Sequence, residues 1–123
     1  MKIALLDDDQ DIADLVRLWL AEAGHTVDHF TAGAELVDAA RDDRYDLYIL
    51  DWLVPGLNGI GVVMRLREQG IARPVLFMTQ FDSKDDAADA VGAGADDYLV
   101  KPVSKDALLE RVRRLLRSQR PLG

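Results

Sequence analysis

The chain contains no cysteine, which excludes a disulfide scaffold and any thiolate metal site. Nor does it contain an apolar run near the roughly 18 residues of a membrane span. Met1-Lys2-Ile3 leads straight into strand-like sequence rather than a signal peptide, so the plain expectation is a soluble, cytoplasmic protein. Histidine is scarce. His25 and His29 stand four apart and would share a strand face, but no third ligand accompanies them, so zinc is not expected. Gly56 and Gly59 fit no dinucleotide or phosphate-loop pattern, and no Ser/His/Asp set has a recognisable context. Internal repeats and low-complexity segments are absent.

Basic residues are also in deficit, unevenly. The net charge is -7, yet residues 104–123 carry six basic side chains against Asp106 and Glu110. An acidic body argues against direct binding to nucleic acid. The short basic end is expected to face a partner domain, a partner subunit or solvent.

What is present is a chain of 123 residues, 49% of them hydrophobic, enough for one domain with a real core. Strand and helix patterns alternate five times. Strands are predicted at Lys2–Leu6, His25–Phe30, Leu47–Asp51, Pro74–Met78 and Asp97–Val100. Between them, Asp9 is placed to cap a helix carrying Ile12, Leu15, Val16, Trp19 and Leu20, which Gly24 stops. A second helix runs from 32 to about 43. A third opens at Asn58-Gly59, carries Ile60, Val63, Met64 and Leu66, and closes at Gly70. A short alanine-rich helix follows Ser83, and Ser104 caps a final helix striped by Leu108, Val112, Leu115 and Leu116. Such βα crossovers predict an α/β domain with a doubly wound, five-stranded parallel sheet and helices on both faces.

The strand Leu47–Asp51 organises the rest. Its apolar run suits a strand buried on both faces, and it ends in a carboxylate before the Pro55-Gly56 turn. In open α/β sheets, ligands bind beyond the carboxyl ends of the strands. At that edge the pattern places Asp7 and Asp8 after the first strand, Asp51 at the third, Thr79 at the fourth and Lys101 at the fifth. Carboxylates so gathered repel one another, by about 4 kcal/mol per pair at 4 Å and an effective dielectric of 20. A hard cation with oxygen ligands relieves this, and Mg²⁺ fits. With the metal and the Lys101 ammonium neutralising charge and the Thr79 hydroxyl donating a hydrogen bond, Asp51 could act as a nucleophile toward phosphorus. By contrast, Asp42-Asp43 and Asp85-Asp86 read as solvated loop charges, Trp19 as core, and Trp52 as partly exposed beside the site.

Across residues 1 to about 117 the chain resembles the receiver domain of two-component response regulators. The resemblance rests on Ile3–Asp9, on Asp51 followed by Pro55-Gly56 and Gly59, on Met78-Thr79 and on Lys101-Pro102. The run Gly92–Pro102 is similar to the OmpR/PhoB branch, whose members are usually transcription factors. The resemblance implies a CheY-like, flavodoxin-like fold and a signalling switch rather than an enzyme. Asp51 would accept a phosphoryl group from a sensor histidine kinase, with only intrinsic autophosphorylation and slow autodephosphorylation besides. Asp7, Asp8, Asp51 and the backbone carbonyl of Leu53 would hold Mg²⁺, and Thr79 and Lys101 would contact the phosphoryl oxygens. Tyr98 would be the aromatic switch, turning inward as Thr79 moves. The output face would be the fourth helix, fifth strand and fifth helix, where Asp97 and Arg111 match a charged pair used for homodimers.

Some positions depart from the family pattern. Gln80 replaces a small residue after Thr79 and is expected to crowd the phosphoryl site or restrict Tyr98. Val103 replaces a frequent Phe, and Leu53 and Phe81 are bulky residues bordering the site that should slow attack by water. Ala87 and Ala107 stand where a second charged pair would be, which sets the usual dimer in question. A receiver domain over 1–117, with 118–123 beginning a linker or tail, suggests a C-terminal DNA-binding effector domain beyond this chain; a stand-alone regulator is the other option. Two rivals differ in class. A Mg²⁺-dependent phosphatase with an Asp nucleophile would carry a second Asp where Leu53 stands. A degenerate receiver would serve as a phosphorylation-independent docking module, with Gln80 its main support.

Overall fold

A computed structural model describes residues 1–52, 58–80, 92 and 94–117. The five predicted strands form, as β1 (Lys2–Leu6), β2 (Thr26–Phe30), β3 (Leu47–Asp51), β4 (Val75–Thr79) and β5 (Asp97–Val100). All neighbours are parallel, in the order β2-β1-β3-β4-β5. Four described helices flank them: α1 (Gln10–Glu22), α2 (Gly33–Ala39), α3 (Gly59–Glu68) and α4 (Lys105–Arg117). The helix expected after Ser83, with Asp85, Asp86 and Ala87, lies outside the described residues. No helix among the described residues is long and apolar enough to cross a membrane.

Two apolar layers sandwich the sheet, and strand alternation assigns each residue to one of them. Ile3, Leu5, Leu47, Ile49, Leu76 and Met78 pack with Ala13, Val16 and Leu20 of α1 and Leu108, Val112 and Leu115 of α4. Ala4, Leu6, Tyr48, Leu50, Val75 and Phe77 pack with Leu36 and Val37 of α2 and Val62, Val63 and Leu66 of α3. Both faces of the central strands are therefore buried, as their unbroken apolar runs require.

Asp9 caps α1 by accepting from the amides of Asp11 and Ile12, and Asn58 caps α3 by accepting from Gly61. Gly24 and Gly70 take left-handed backbone just past α1 and α3, at φ 91° and 79°. Two expectations need correction. The second helix stops at Ala39 and tightens into a 3₁₀ turn, Ala40–Asp42, ended by Asp43 in the left-handed region. Asp43 is exposed, as expected, and also pairs with Arg73 at 3.3 Å. Leu15 and Met64 are exposed, because Ala13 and Val62 occupy the inward positions on their helices.

Two phenols sit in the α2/α3 layer. Burial first, and then Asp43, pushes Tyr48 up to about 12; burial and the hydrogen bond its hydroxyl donates to Asp28 also raise Tyr45. A raised folded value means that the neutral phenol favours folding below the ordinary value of 10.0, and that this contribution is lost as pH climbs toward 12. Urea-unfolding free energy should therefore fall above about pH 10, and Tyr48→Phe should flatten that fall. An unchanged alkaline slope in the variant would disprove the assignment.

Candidate functional site

Register brings the polar strand ends together. Leu6 pairs with Leu50, Asp51 with Met78, and Thr79 with Val100, so Asp7, Asp51, Thr79 and Lys101 converge at one edge. Asp7, Asp51 and Lys101 continue the alternation of the α1/α4 layer. There they meet, with the Lys101 ammonium 3.0 Å from Asp7 Oδ2 and 3.1 Å from Asp51 Oδ2. Asp7 is fully buried, Asp51 is 8% exposed and Thr79 1%. The backbone amide of Lys101 donates to the carbonyl of Thr79 at 2.6 Å. Burial alone would lower the Lys101 value, but its bonds to Asp7 and then Asp51 outweigh this and raise it above 10.5. The ammonium therefore stays charged at neutral pH.

Exposed Asp8 completes the cluster. One carboxylate oxygen each from Asp7, Asp8 and Asp51 lies within 4.8 Å of the others. Three carboxylates against one ammonium leave an excess of about two negative charges, the charge of a divalent cation, in an all-oxygen donor set open to water. These residues fit Mg²⁺. A cavity of about 330 Å³ opens over them, lined by Asp8, Asp9, Ile12, Asp51, Thr79, Gln80 and Lys101. Gln80 thus borders the site as its sequence position implied. Leu53 and Phe81 lie outside the described residues. His25 and His29 take part in no metal-competent cluster among the described residues.

The expectation for Trp52 was wrong. It is only 8% exposed, because one step beyond Asp51 alternation turns it to the opposite face. Under α3 its ring lies 5.5 Å from Phe77 and meets Tyr98 edge-on at 6.5 Å. The acidic pocket and the half-buried Tyr98 are thus linked through Asp51 at the end of β3 and Trp52, the residue that follows it. Asp97 and Arg111, expected to pair across a dimer, pair within the chain at 2.6 Å.

Sequence reasoning missed two supports. Arg67 of α3 donates to the carbonyls of Ile71, Arg73 and Gly94, tying α3 to the approach to β5. His29 Nε2 lies 2.8 Å from the carbonyl of Asp7. Neither has a sequence signal, since both act on backbone atoms brought close only by folding.

A parallel 2-1-3-4-5 sheet with an acidic cluster and a lysine at its carboxyl edge defines an open α/β module whose polar pocket lies where such sheets bind ligands. Residues 3–113 match the family described as the response regulator receiver domain, and the chain belongs to that family. It is 40% identical over 119 residues to the transcriptional regulatory protein PcoR of Escherichia coli, covering 97% of this chain and 53% of PcoR. It is 38% identical over 121 residues to the response regulator MprA of Mycobacterium avium, covering 98% and 53%. The chain thus spans about half the length of these curated relatives. Among solved structures, the receiver domain of Francisella response regulator 1452 superposes with a TM-score of 0.91 at 33% identity, covering 97% of this chain and 98% of that one. The BeF3-activated N-terminal receiver domain of Klebsiella pneumoniae RstA gives 0.88 at 28% identity, covering 95% and 99%.

Proposed function

We propose that this chain is a cytoplasmic phosphorylation switch in which Asp51 accepts a phosphoryl group from a sensor histidine kinase. The observation that carries this reading is the Lys101 ammonium held between Asp7 and Asp51 inside a three-carboxylate cluster. Asp7, Asp8 and Asp51, with the Leu53 carbonyl by family resemblance, would hold Mg²⁺. When bound, the cation would supply neutralising charge for the transferred phosphoryl oxygens. An Asp51 carboxylate oxygen attacks phosphorus, the bond from phosphorus to the donor imidazole nitrogen breaks, and that nitrogen keeps the electron pair. Lys101 and the Thr79 hydroxyl then contact the phosphoryl oxygens. Tyr98 responds to the displacement of Thr79, a two-state element biased by local charge.

The receiver domain runs over 1–117; the linker or tail expected over 118–123 lies outside the described residues. The output is transcriptional, through a C-terminal DNA-binding effector domain outside this chain; PcoR, a transcriptional regulatory protein about twice as long, supports this. Homodimerisation through the face containing Asp97 and Arg111 requires their pair within the chain to be shared or exchanged.

Intact mass after incubation with Mg²⁺ and acetyl phosphate tests the chemistry. A gain of about 80 Da is expected in the wild type and none in Asp51→Asn. No adduct under any Mg²⁺ concentration would favour the docking-module alternative, with Gln80, at the cavity rim, the first residue to replace.

A further inference from the structure

We propose that His29, on β2, is a positioning residue that sets the direction of Asp8 in the acidic pocket. The inference rests on the reading of that pocket as a Mg²⁺ site and adds a residue to its support. Every polar group of Asp7 is engaged. Its amide donates to the Phe30 carbonyl at 3.1 Å, Oδ1 accepts from the Asp9 amide at 2.9 Å, and Oδ2 accepts from Lys101. Its carbonyl faces His29 Nε2 at 2.8 Å. A carbonyl can only accept, so Nε2 carries a proton and donates.

That carbonyl belongs to the planar peptide whose nitrogen is Asp8. Two consecutive residues of β2 therefore grip the chain on both sides of the Asp7 side chain: Phe30 at the amide before it, His29 at the carbonyl after it. Fixing this peptide plane fixes where Asp8 Cα stands, the point from which the exposed Asp8 side chain starts. The β2 ladder needs only a backbone at position 29. Reaching the Asp7 carbonyl needs a side-chain donor of imidazole length.

Two variants without a donor, His29→Leu and His29→Val, and one that keeps an N–H at similar reach, His29→Gln, separate positioning from packing. Each is titrated with MgCl2 and followed by ¹H–¹⁵N NMR, with thermal melts alongside. The expected result is about tenfold weaker Mg²⁺ binding in the Leu and Val variants, with Gln within about twofold of wild type. In the wild type, the imidazole ¹⁵N spectrum should show a protonated Nε2. Equal Mg²⁺ affinity in all four proteins, a loss in Gln as large as in Leu and Val, or a bare Nε2 would overturn the proposal. So would a lowered melting temperature with unchanged affinity, which is what a merely structural role predicts. If the wild type itself shows no saturable Mg²⁺ binding, the reading of the pocket has failed, and the role of His29 fails with it.

Discussion

A Lys101→Met variant is expected to lose about 3 kcal/mol of folding stability at pH 7 without divalent cations, since removing one partner of a buried ion pair strands the other. Here two carboxylates lose their ammonium, Asp7 with no exposure and Asp51 with little. The loss should be partly recovered by MgCl2, because a cation bound only by the folded state contributes about 1.4 kcal/mol at ten times its dissociation constant. Urea melts at pH 7 with and without MgCl2 check this. A loss that does not depend on Mg²⁺ would mean that Lys101 acts through packing of its stem.

The second large effect is expected from Gly59→Ala, at about 2–3 kcal/mol, the upper part of the range of about 1–3 kcal/mol usual for overpacking. Gly59 opens α3 and donates its amide to the Trp52 carbonyl at 3.0 Å. A Cβ there would stand 2.6 Å from the Asp51 carbonyl oxygen, 2.7 Å from Phe77 Cε1 and 3.1 Å from Trp52 Cα. Two of these are backbone atoms of the chain leaving β3, so no side-chain rotation relieves the clash. Either α3 retreats or the end of β3 tilts, and the second moves Asp51. The variant should therefore accept phosphoryl groups from acetyl phosphate more slowly as well as unfold at lower urea. Met64→Ala, on the exposed face of the same helix, should change stability by no more than about 0.5 kcal/mol. Wild-type stability in Gly59→Ala would show that α3 can slide without cost.

The fold and most of the site were legible because both follow from local pattern. Five apolar runs separated by helical periodicity dictate a parallel sheet, and a parallel sheet puts every strand's carboxyl end on one edge. Asp7, Asp51, Thr79 and Lys101 each end or follow a strand, so their convergence is a consequence of topology. All four lie within residues 3–113, which match the receiver family. Trp52 was misread although alternation alone assigns it to the face opposite Asp51; adjacency in sequence was taken for adjacency in space. Leu15 and Met64 were misread because small residues, Ala13 and Val62, could fill the inward positions of their helices.

The sequence by itself therefore determined the element order, the two buried faces and the acidic edge, since periodicity, capping and strand parity are properties of neighbouring residues. Only the tertiary structure decided which partners those residues take. Lys101 divides itself between Asp7 and Asp51, 94 and 50 positions away. His29 reaches a carbonyl 22 positions back, and Arg111 returns to Asp97 in its own chain. These contacts depend on register between strands and on the packing of helices against the sheet. Neither is encoded in any short stretch of the chain, because each distance is the sum of many side-chain volumes filling the two layers.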